Sequence, residues 1–558
     1  MRLALTAAFI SFVMLPVFAQ PVQHLSVTKA GGMPGAPVVE SIQSLTNGVR
    51  ITWTGPSGYY QVLQKSNSLN APWVALGKMT NLAGNAVITK LYSNAFFRVL
   101  GPSPKYASLG VKACMTCHQT VCRYVTNTAH ASAFSDPAFK AAGGQTNSSC
   151  LACHTVGYGL PTGFSITNRN GVVSYNANQA GVLCENCHGP AGNHASAEDD
   201  LTVRPRVELA ATMCGGCHTG PMQPTYEEWN SSAHAAVTPS ALSSMTSSTN
   251  NISSCGRCHS GSVRLALING QNPLALTNDL NVAITCVVCH DPHQTNANPA
   301  QLRNPLSSTN YFSLSTSDPF TSKYNANTNI NLCGQCHNSR GAAWTDTARA
   351  PHHSLQYNFL LGSVGQFLDG PATFSPGAHA GLPDSAQHSV SGTFYLTNQC
   401  ASCHLQADPP PAMTDSHTFA IASYAVCMNC HLTPPGSSAT VISNNISLIV
   451  YELNLWAALK APPALRTNGV VAWEYTTPGG LTWQTNASGF VTSWSLDNPV
   501  NFAGPNAASQ ALISTNILQA RFDLYVVLND GSLGAHNLIF TLNLLSAAQS
   551  LVQEELFP

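Results

Sequence analysis

The chain has 558 residues, 8% of them charged, and a formal net charge of −1. Its length exceeds that of one ordinary domain. The near-neutral balance lacks the basic excess of a nucleic-acid binder, so no nucleic-acid partner is expected.

The first residues read as a secretory signal. Arg2 supplies a positive start, Leu3 to Phe18 form an apolar run interrupted by Pro16, and Val17-Phe18-Ala19 gives a small-residue cleavage site before Gln20. This predicts a signal peptide over 1–19. A membrane anchor is the competing reading, but the run is short and a cleavage site follows it. The first cysteine is Cys114, so no new N-terminal Cys is left for a lipid. No later segment has the length and apolarity of a span, and no transmembrane segment is expected after cleavage. A periplasmic, extracellular or cell-surface location follows.

Residues 37–102 contain no cysteine and read as β structure. Short strands are expected at Val49–Trp53, Tyr59–Lys65, Trp73–Leu76, Ala86–Lys90 and Ala95–Val99, separated by Gly, Pro, Asn and Ser turns. The block resembles a fibronectin type III-like sandwich, which implies a role in adhesion, spacing or docking.

Cysteine usage decides the chemistry. Of 19 cysteines, 18 fall into nine Cys-x-x-Cys pairs, each followed at once by His. They are Cys114-Met-Thr-Cys117-His118, Cys150-Leu-Ala-Cys153-His154, Cys184-Glu-Asn-Cys187-His188, Cys214-Gly-Gly-Cys217-His218 and Cys255-Gly-Arg-Cys258-His259. Then come Cys286-Val-Val-Cys289-His290, Cys333-Gly-Gln-Cys336-His337, Cys400-Ala-Ser-Cys403-His404 and Cys427-Met-Asn-Cys430-His431. Chance supplies on the order of 0.02 copies at this composition, so nine are no accident. In c-type haem attachment two thiols add to the vinyl groups of one porphyrin, and the next imidazole becomes the proximal iron ligand. A disulfide framework needs no His after each pair, and zinc ribbons need none either. Nine covalently attached haems are therefore expected.

Iron in a porphyrin takes a second axial ligand. The non-motif histidines of the haem stretch are His130, His194, His234, His293, His352, His353, His379, His388 and His417, and His536 lies further on. These are the distal candidates, whereas His24 lies outside and is incidental. Bis-imidazole iron has no free coordination position and carries electrons. Met222, Met245 and Met413 are alternative ligands that would raise the potential, but histidines are abundant enough to make them unnecessary. Cys122 is the odd thiol. A thiolate ligand and an intermolecular disulfide partner are open readings, and a small buried residue is favoured.

From Cys114 to His431 there are close to 35 residues per motif, too few for each segment to build an apolar core. Porphyrins are expected to fill that role, wrapped by short helices and loops. After His431 the pattern turns helical at Ile446–Lys460, reads as hairpins over Val470–Trp494, and returns to helix at 508–528 and 538–553. These helices are expected to pack back over the haem array.

Several stretches resemble a known family. Cys150-Leu-Ala-Cys153-His154-Thr-Val-Gly-Tyr-Gly159, then Gly181-Val-Leu-Cys184-Glu-Asn-Cys187-His188-Gly-Pro190 and His194, look like the cytochrome c-554 type. That group belongs to an assembly with pentahaem nitrite reductase and octahaem hydroxylamine oxidoreductase. Asn529-Asp-Gly-Ser-Leu-Gly-Ala-His536-Asn537 resembles the C-terminal segment of those enzymes, in which the His ligates a haem. The resemblance makes His536 a distal ligand and leaves one other candidate, His352 or His353, surplus. It covers roughly 114–431 and 508–553.

The departures bear on function. Nitrite reductases place Lys at the active-site proximal position, but every motif here ends in His, and the haem stretch holds only Lys140 and Lys323. A cross-linked Tyr, as in hydroxylamine oxidation, needs Tyr124, Tyr158, Tyr226 or Tyr357 beside an open iron. No catalytic residue is assigned. The leading expectation is a multi-domain electron carrier: a small all-β sandwich, a haem-packed, mostly α and irregular domain over 103–431, and a C-terminal helical segment over 432–558. It would serve redox partner proteins or an extracellular acceptor, with a homo-oligomer or filament as a further option. The alternative is a multihaem oxidoreductase acting on nitrite, hydroxylamine or tetrathionate at one open haem.

Overall fold

The structure, a computed structural model, describes residues 105–304, 332–379, 399–431, 436–496 and 504–558, and seven strands between 38 and 100. Within those ranges 171, 200–203, 206, 208, 277–279, 296–297, 374, 378, 422 and 430 are excepted. The expected signal peptide, His24, Lys323, His388 and Cys430 lie outside the described residues. Two compact units are formed, Met1–His218 with His290–Gln301, and Thr219–Cys289 with Leu302–Pro558. Beyond the early strands the described chain is mostly helical and irregular.

In the first unit, β1 (Val38–Leu45), β2 (Gly48–Thr54) and β6 (Asn85–Ile88) make one antiparallel sheet. In a second, β3 (Tyr59–Ser66) pairs with β4 (Val74–Ala75), β5 (Lys78–Thr80) and β7 (Phe96–Leu100). All five expected strands have counterparts, and β1 and β5 are additional. A register shift between Val39 and Ser41 interrupts the alternation of β1, which hides it from a period-two reading. Strand β5 has only three residues, too few to show a period.

The motif-bearing part of this unit is built from short helices: α1 (Val111–Met115), α2 (Gln119–Val125), α3 (Ser148–His154), α4 (Cys184–His188) and α5 (Thr212–Gly215). The reason lies in the motif. On a helical turn, residues three and four apart share a face, so both thiols and the following imidazole emerge on one side. The His118 N–H donates to the Cys114 carbonyl at 2.9 Å, and His218 to Cys214 at 2.9 Å, closing that turn. Asn147 caps α3 by accepting from the Ser149 N–H. Apolar packing is slight, with Phe134, Leu151 and Phe164 forming a small buried cluster.

The second unit carries α6 (Thr225–Ser231), α7 (Thr249–His259), α8 (Gly261–Ile268), α9 (Cys286–Cys289), α10 (Gln356–Leu360) and α11 (Cys400–His404). Three long helices follow: α12 (Gly436–Leu459), α13 (Thr515–Asp530) and α14 (Leu538–Leu556). Helix α12 starts well before the expected Ile446. Its buried Ile442, Ile446, Ile449, Val450, Leu453, Trp456 and Ala457 recur at helical spacing and form one stripe. Helix α13 buries Phe522 and Leu524 to Leu528 in unbroken succession, the mark of a central helix. Leu355, Phe359 and Val364, from inside the motif-bearing stretch, join this apolar core. An apolar core thus extends into the motif-bearing stretch, where porphyrins were expected to take that role. Of the expected hairpins at 470–494, one forms, from Thr482–Thr485 and Val491–Ser495. Ahead of it a short 3-10 turn at Gly469–Val471 leads to Trp473 and Tyr475, both fully buried.

One polar group sits inside that core. Tyr525 Oη donates to Glu474 Oε2 at 2.6 Å, and the Tyr475 N–H donates to Oε1 at 2.7 Å. Arg521 Nη1 donates to the Trp473 and Glu474 carbonyls at 2.8 and 3.0 Å, and its guanidinium lies 4.0 Å over the Tyr475 ring. Burial pushes the Glu474 carboxyl up to about 7 despite these donors. An acid raised on folding holds its proton more tightly folded than unfolded, so stability falls as pH rises from about 4.5 to about 7. The loss amounts to roughly 3 kcal/mol. Melting temperatures taken across that window should decline in the wild type and decline less in Glu474→Gln; parallel curves would refute this account.

Candidate haem-ligating histidines

Imidazoles face one another in pairs. In the first unit His188 and His293 have ring centroids 6.0 Å apart with planes at 4°, and His130 and His218 are 6.0 Å apart at 77°. In the second unit His234 and His337 are 6.2 Å apart, His379 and His431 6.0 Å, and His404 and His536 6.4 Å. His259 faces both His352 at 6.0 Å and His353 at 6.4 Å. A metal bound between two imidazole nitrogens at about 2.0–2.1 Å separates the ring centroids by roughly 6 Å. Each pair thus leaves room for one iron, and in each one ring belongs to a motif and the other does not.

Ring orientation is set by the second nitrogen. Nδ1 of His154 lies 3.0 Å from the Ala133 carbonyl, that of His290 2.7 Å from Ala300, that of His404 2.9 Å from Phe419, and that of His379 2.8 Å from Ala535. His337 approaches Gln356 Oε1 at 3.4 Å and His352 approaches Ser354 Oγ at 2.9 Å. His417 Nδ1 lies 2.8 Å from the Asp415 carbonyl. An Nδ1–H donated to a carbonyl leaves Nε2 as the free lone pair, the arrangement of metal-bound histidines. His536 differs, with Nδ1 2.6 Å from Asp530 Oδ1.

Burial keeps several of these rings neutral, as a ligand must be. It drives His234 down to about 4, assisted by the nearby His337, and His352 to about 3, assisted by His353. His194 is lowered by burial and then by His118, the histidine of the first motif, and its own Nδ1 is buried without a hydrogen-bond partner among the described residues. His130 is lowered by burial, and a side-chain hydrogen bond with Gln301 opposes this by raising it.

Backbone features place these rings. Gly181 has φ +135°, and a Cβ there would meet the Ala131 carbonyl oxygen at 2.4 Å. This close approach lets the Val182 N–H donate to the His130 carbonyl at 2.9 Å. The buried Glu185, inside the third motif, accepts from the Ala107 N–H at 3.0 Å and the Ala191 N–H at 2.7 Å, anchoring α4. In the seventh motif a side chain at Gly334 would run into the Tyr357 ring at 2.9 Å.

Motifs distant in sequence meet through their thiols. Cys114 lies within side-chain hydrogen-bonding reach of Cys184, and Cys153 of Cys217. In the second unit Cys258 reaches Cys336, and Cys333 reaches Cys400. Cys403 is also influenced by Cys427. Neighbours in space are thus often not neighbours in sequence.

The structure brings His130, His194, His234, His293, His352, His353, His379 and His536 to motif histidines. His417 is held by a bond from its backbone N–H to Glu228 Oε2 at 2.8 Å. Met222 and Met413 are exposed and Met245 is fully buried. Lys140 is exposed. Sequence reasoning missed the Nδ1 acceptors and Asp530. Backbone carbonyls have no signature in sequence, although an Asp six residues before a candidate ligand was visible.

Nine Cys-x-x-Cys-His motifs, with imidazoles facing motif histidines across gaps of iron size, define a multihaem c-type cytochrome, which binds haem c and transfers electrons. Residues 113–189, which carry the first three motifs, match the family described as cytochrome c554 and c-prime. No curated protein matches the chain. Among solved structures it is similar to the undecahaem cytochrome from the S-layer of Carboxydothermus ferrireducens. Identity is 17% and the TM-score 0.48, over 82% of this chain and 70% of that one. It is also similar to the outer cell wall cytochrome OcwA, with 17% identity and a TM-score of 0.44 over 80% of this chain and 100% of that one. Likenesses of this size carry no further weight.

Cys122 is 2% exposed, beside Cys114 and Cys184, and burial pushes its thiol up. A thiol reagent should leave it unlabelled in the native protein and label it after unfolding, as read by peptide mass. Native labelling would contradict the burial.

Proposed function

We propose that this chain is an exported nonahaem electron conduit in which six-coordinate, bis-imidazole sites predominate. The facing imidazole pairs carry this reading. In the proposed ligation His118 pairs with His194, His188 with His293, His218 with His130, His337 with His234, His404 with His536 and His431 with His379. His259 pairs with His352 or His353, which leaves the other surplus. Haem c supplies one-electron exchange at iron. Nδ1 bonds hold His337, His352, His379, His404 and His536, and burial disfavours the charged form of His130, His194, His234, His352 and His404. It also sets motifs side by side, so that electrons pass between neighbours within a unit.

Tyr357 packs on the seventh motif, whose His337 faces His234 at 6.2 Å, so this tyrosine stands at a site with two imidazoles. That arrangement favours a conduit over a hydroxylamine-type open iron. The N-terminal sheets, read as a fibronectin type III-like module, would serve docking, and the partner would be a redox protein or an extracellular acceptor. No helix of the described residues is long and apolar enough to cross a membrane. Location outside the cytoplasm rests on the signal sequence.

Two measurements test the proposal. Intact mass of the purified protein should show nine haem additions, and fewer would refute the count. Electron paramagnetic resonance of the oxidised protein should be dominated by low-spin ferric signals, with His293→Ala converting one site to high spin and leaving the others. An unchanged spectrum in that variant would refute the pairing with His188.

A further inference from the structure

The loop between α13 and α14 carries a contact unlike the Nδ1 bonds given above for His154, His290, His337, His352, His379, His404 and His417. Asp530 ends α13, Gly531 turns the chain with φ +72°, and His536 follows just ahead of Asn537, which caps α14 by accepting from the Phe540 N–H. The Asp530 carboxylate is almost wholly buried. One oxygen receives His536 Nδ1 at 2.6 Å, and the other receives the Ser532 N–H at 3.2 Å and the Ser532 hydroxyl. The remaining Nδ1 contacts described above end on neutral oxygens: backbone carbonyls at His154, His290, His379, His404 and His417, a serine at His352 and a glutamine at His337.

A carboxylate at Nδ1 draws the N–H proton toward itself and makes the ring a stronger electron donor at Nε2. A stronger donor favours the ferric over the ferrous state, and hydrogen bonding around a ligand is one of the levers by which a protein sets haem potential. The facing ring, His404, bonds the Phe419 carbonyl, so the asymmetry lies on the His536 side.

We propose that Asp530 is a potential-setting residue: acting through His536, it lowers the reduction potential of the haem at Cys400, Cys403 and His404 below that of sites whose rings bond neutral oxygens. This rests on the proposed ligation by His536. The eighth motif neighbours the seventh through Cys400 and Cys333, and the ninth through Cys403 and Cys427. An electron moving along this unit therefore meets a step at the eighth motif.

The test is spectroelectrochemical titration of the intact holoprotein. Asp530→Asn keeps an acceptor for Nδ1 and removes the charge. It should leave haem content and the low-spin spectrum unchanged while raising one component. At a fixed potential near its midpoint, that component's reduced-to-oxidised ratio should rise about tenfold, equivalent to about 59 mV for one electron. Ser532→Ala keeps the carboxylate and removes one of its competing donors, so the same component should move the opposite way. Shifts of both variants in one direction would mark a merely structural disturbance and overturn the proposal, as would no shift in Asp530→Asn. His536→Ala separates the two layers. A new high-spin signal upholds the ligation whatever Asp530 does, and an unchanged spectrum sinks the ligation and the inference together.

Discussion

Two imidazole rings held about 6 Å apart across an iron-sized gap are the constraint that the rest of the structure serves. One ring is easy to place, because the Cys-x-x-Cys-His turn sets it beside two thiols by local geometry. The other must arrive from elsewhere in the chain with its Nε2 aimed at the same point. An error of an ångström would break the bond, so each ring needs support from behind. For His404 and His379 the carbonyls of Phe419 and Ala535 supply it, and for His130 the close approach at Gly181 that ties Val182 to its carbonyl does so.

The two units meet this demand with different means. In the first, apolar packing is small, and polar anchors such as Glu185 and the cap at Asn147 hold the motif helices. In the second, α12, α13 and α14 build a large apolar core, and the loop that bears His536 is mounted on it. Asn537 fastens that loop, donating to the Leu360 and Ser375 carbonyls at 3.3 and 3.0 Å. The position of His536 thus derives from side chains outside the Cys-x-x-Cys-His motifs. The buried Glu474 and Arg521 group belongs to the same scaffold. Arg521 Nη1 is satisfied by the Trp473 and Glu474 carbonyls and the Glu474 carboxyl by Tyr525 and the Tyr475 N–H, which offsets part of the cost of burying so polar a cluster.

Which parts were legible follows from how local each is. Strands β2 and β3 and helix α14 carry a periodic pattern and form where it predicts, whereas α13 starts only at Thr515, after a separate short helix at Ala507–Gln510. Strand β1 is broken by its register shift, and α12 begins in a polar run, Gly436-Ser-Ser-Ala-Thr440, that shows no apolar stripe. The core at Leu355, Phe359 and Val364 was hidden for another reason. These residues sit among haem motifs in sequence and join an apolar core built mainly from helices that begin at Gly436 and beyond.

By itself the sequence determined where the Cys-x-x-Cys-His motifs stand and which histidines are available, because the motif is one turn of backbone and needs no distant contact. It could not determine which imidazole serves which motif. His293 follows His290 by three residues yet faces His188, and His234 faces His337. Such pairings depend on packing between segments far apart in the chain, and no spacing rule encodes them. The same holds for the buried carboxylate behind His536. Asp530 is one of many acidic residues in sequence, and only the turn at Gly531 brings it against the ring.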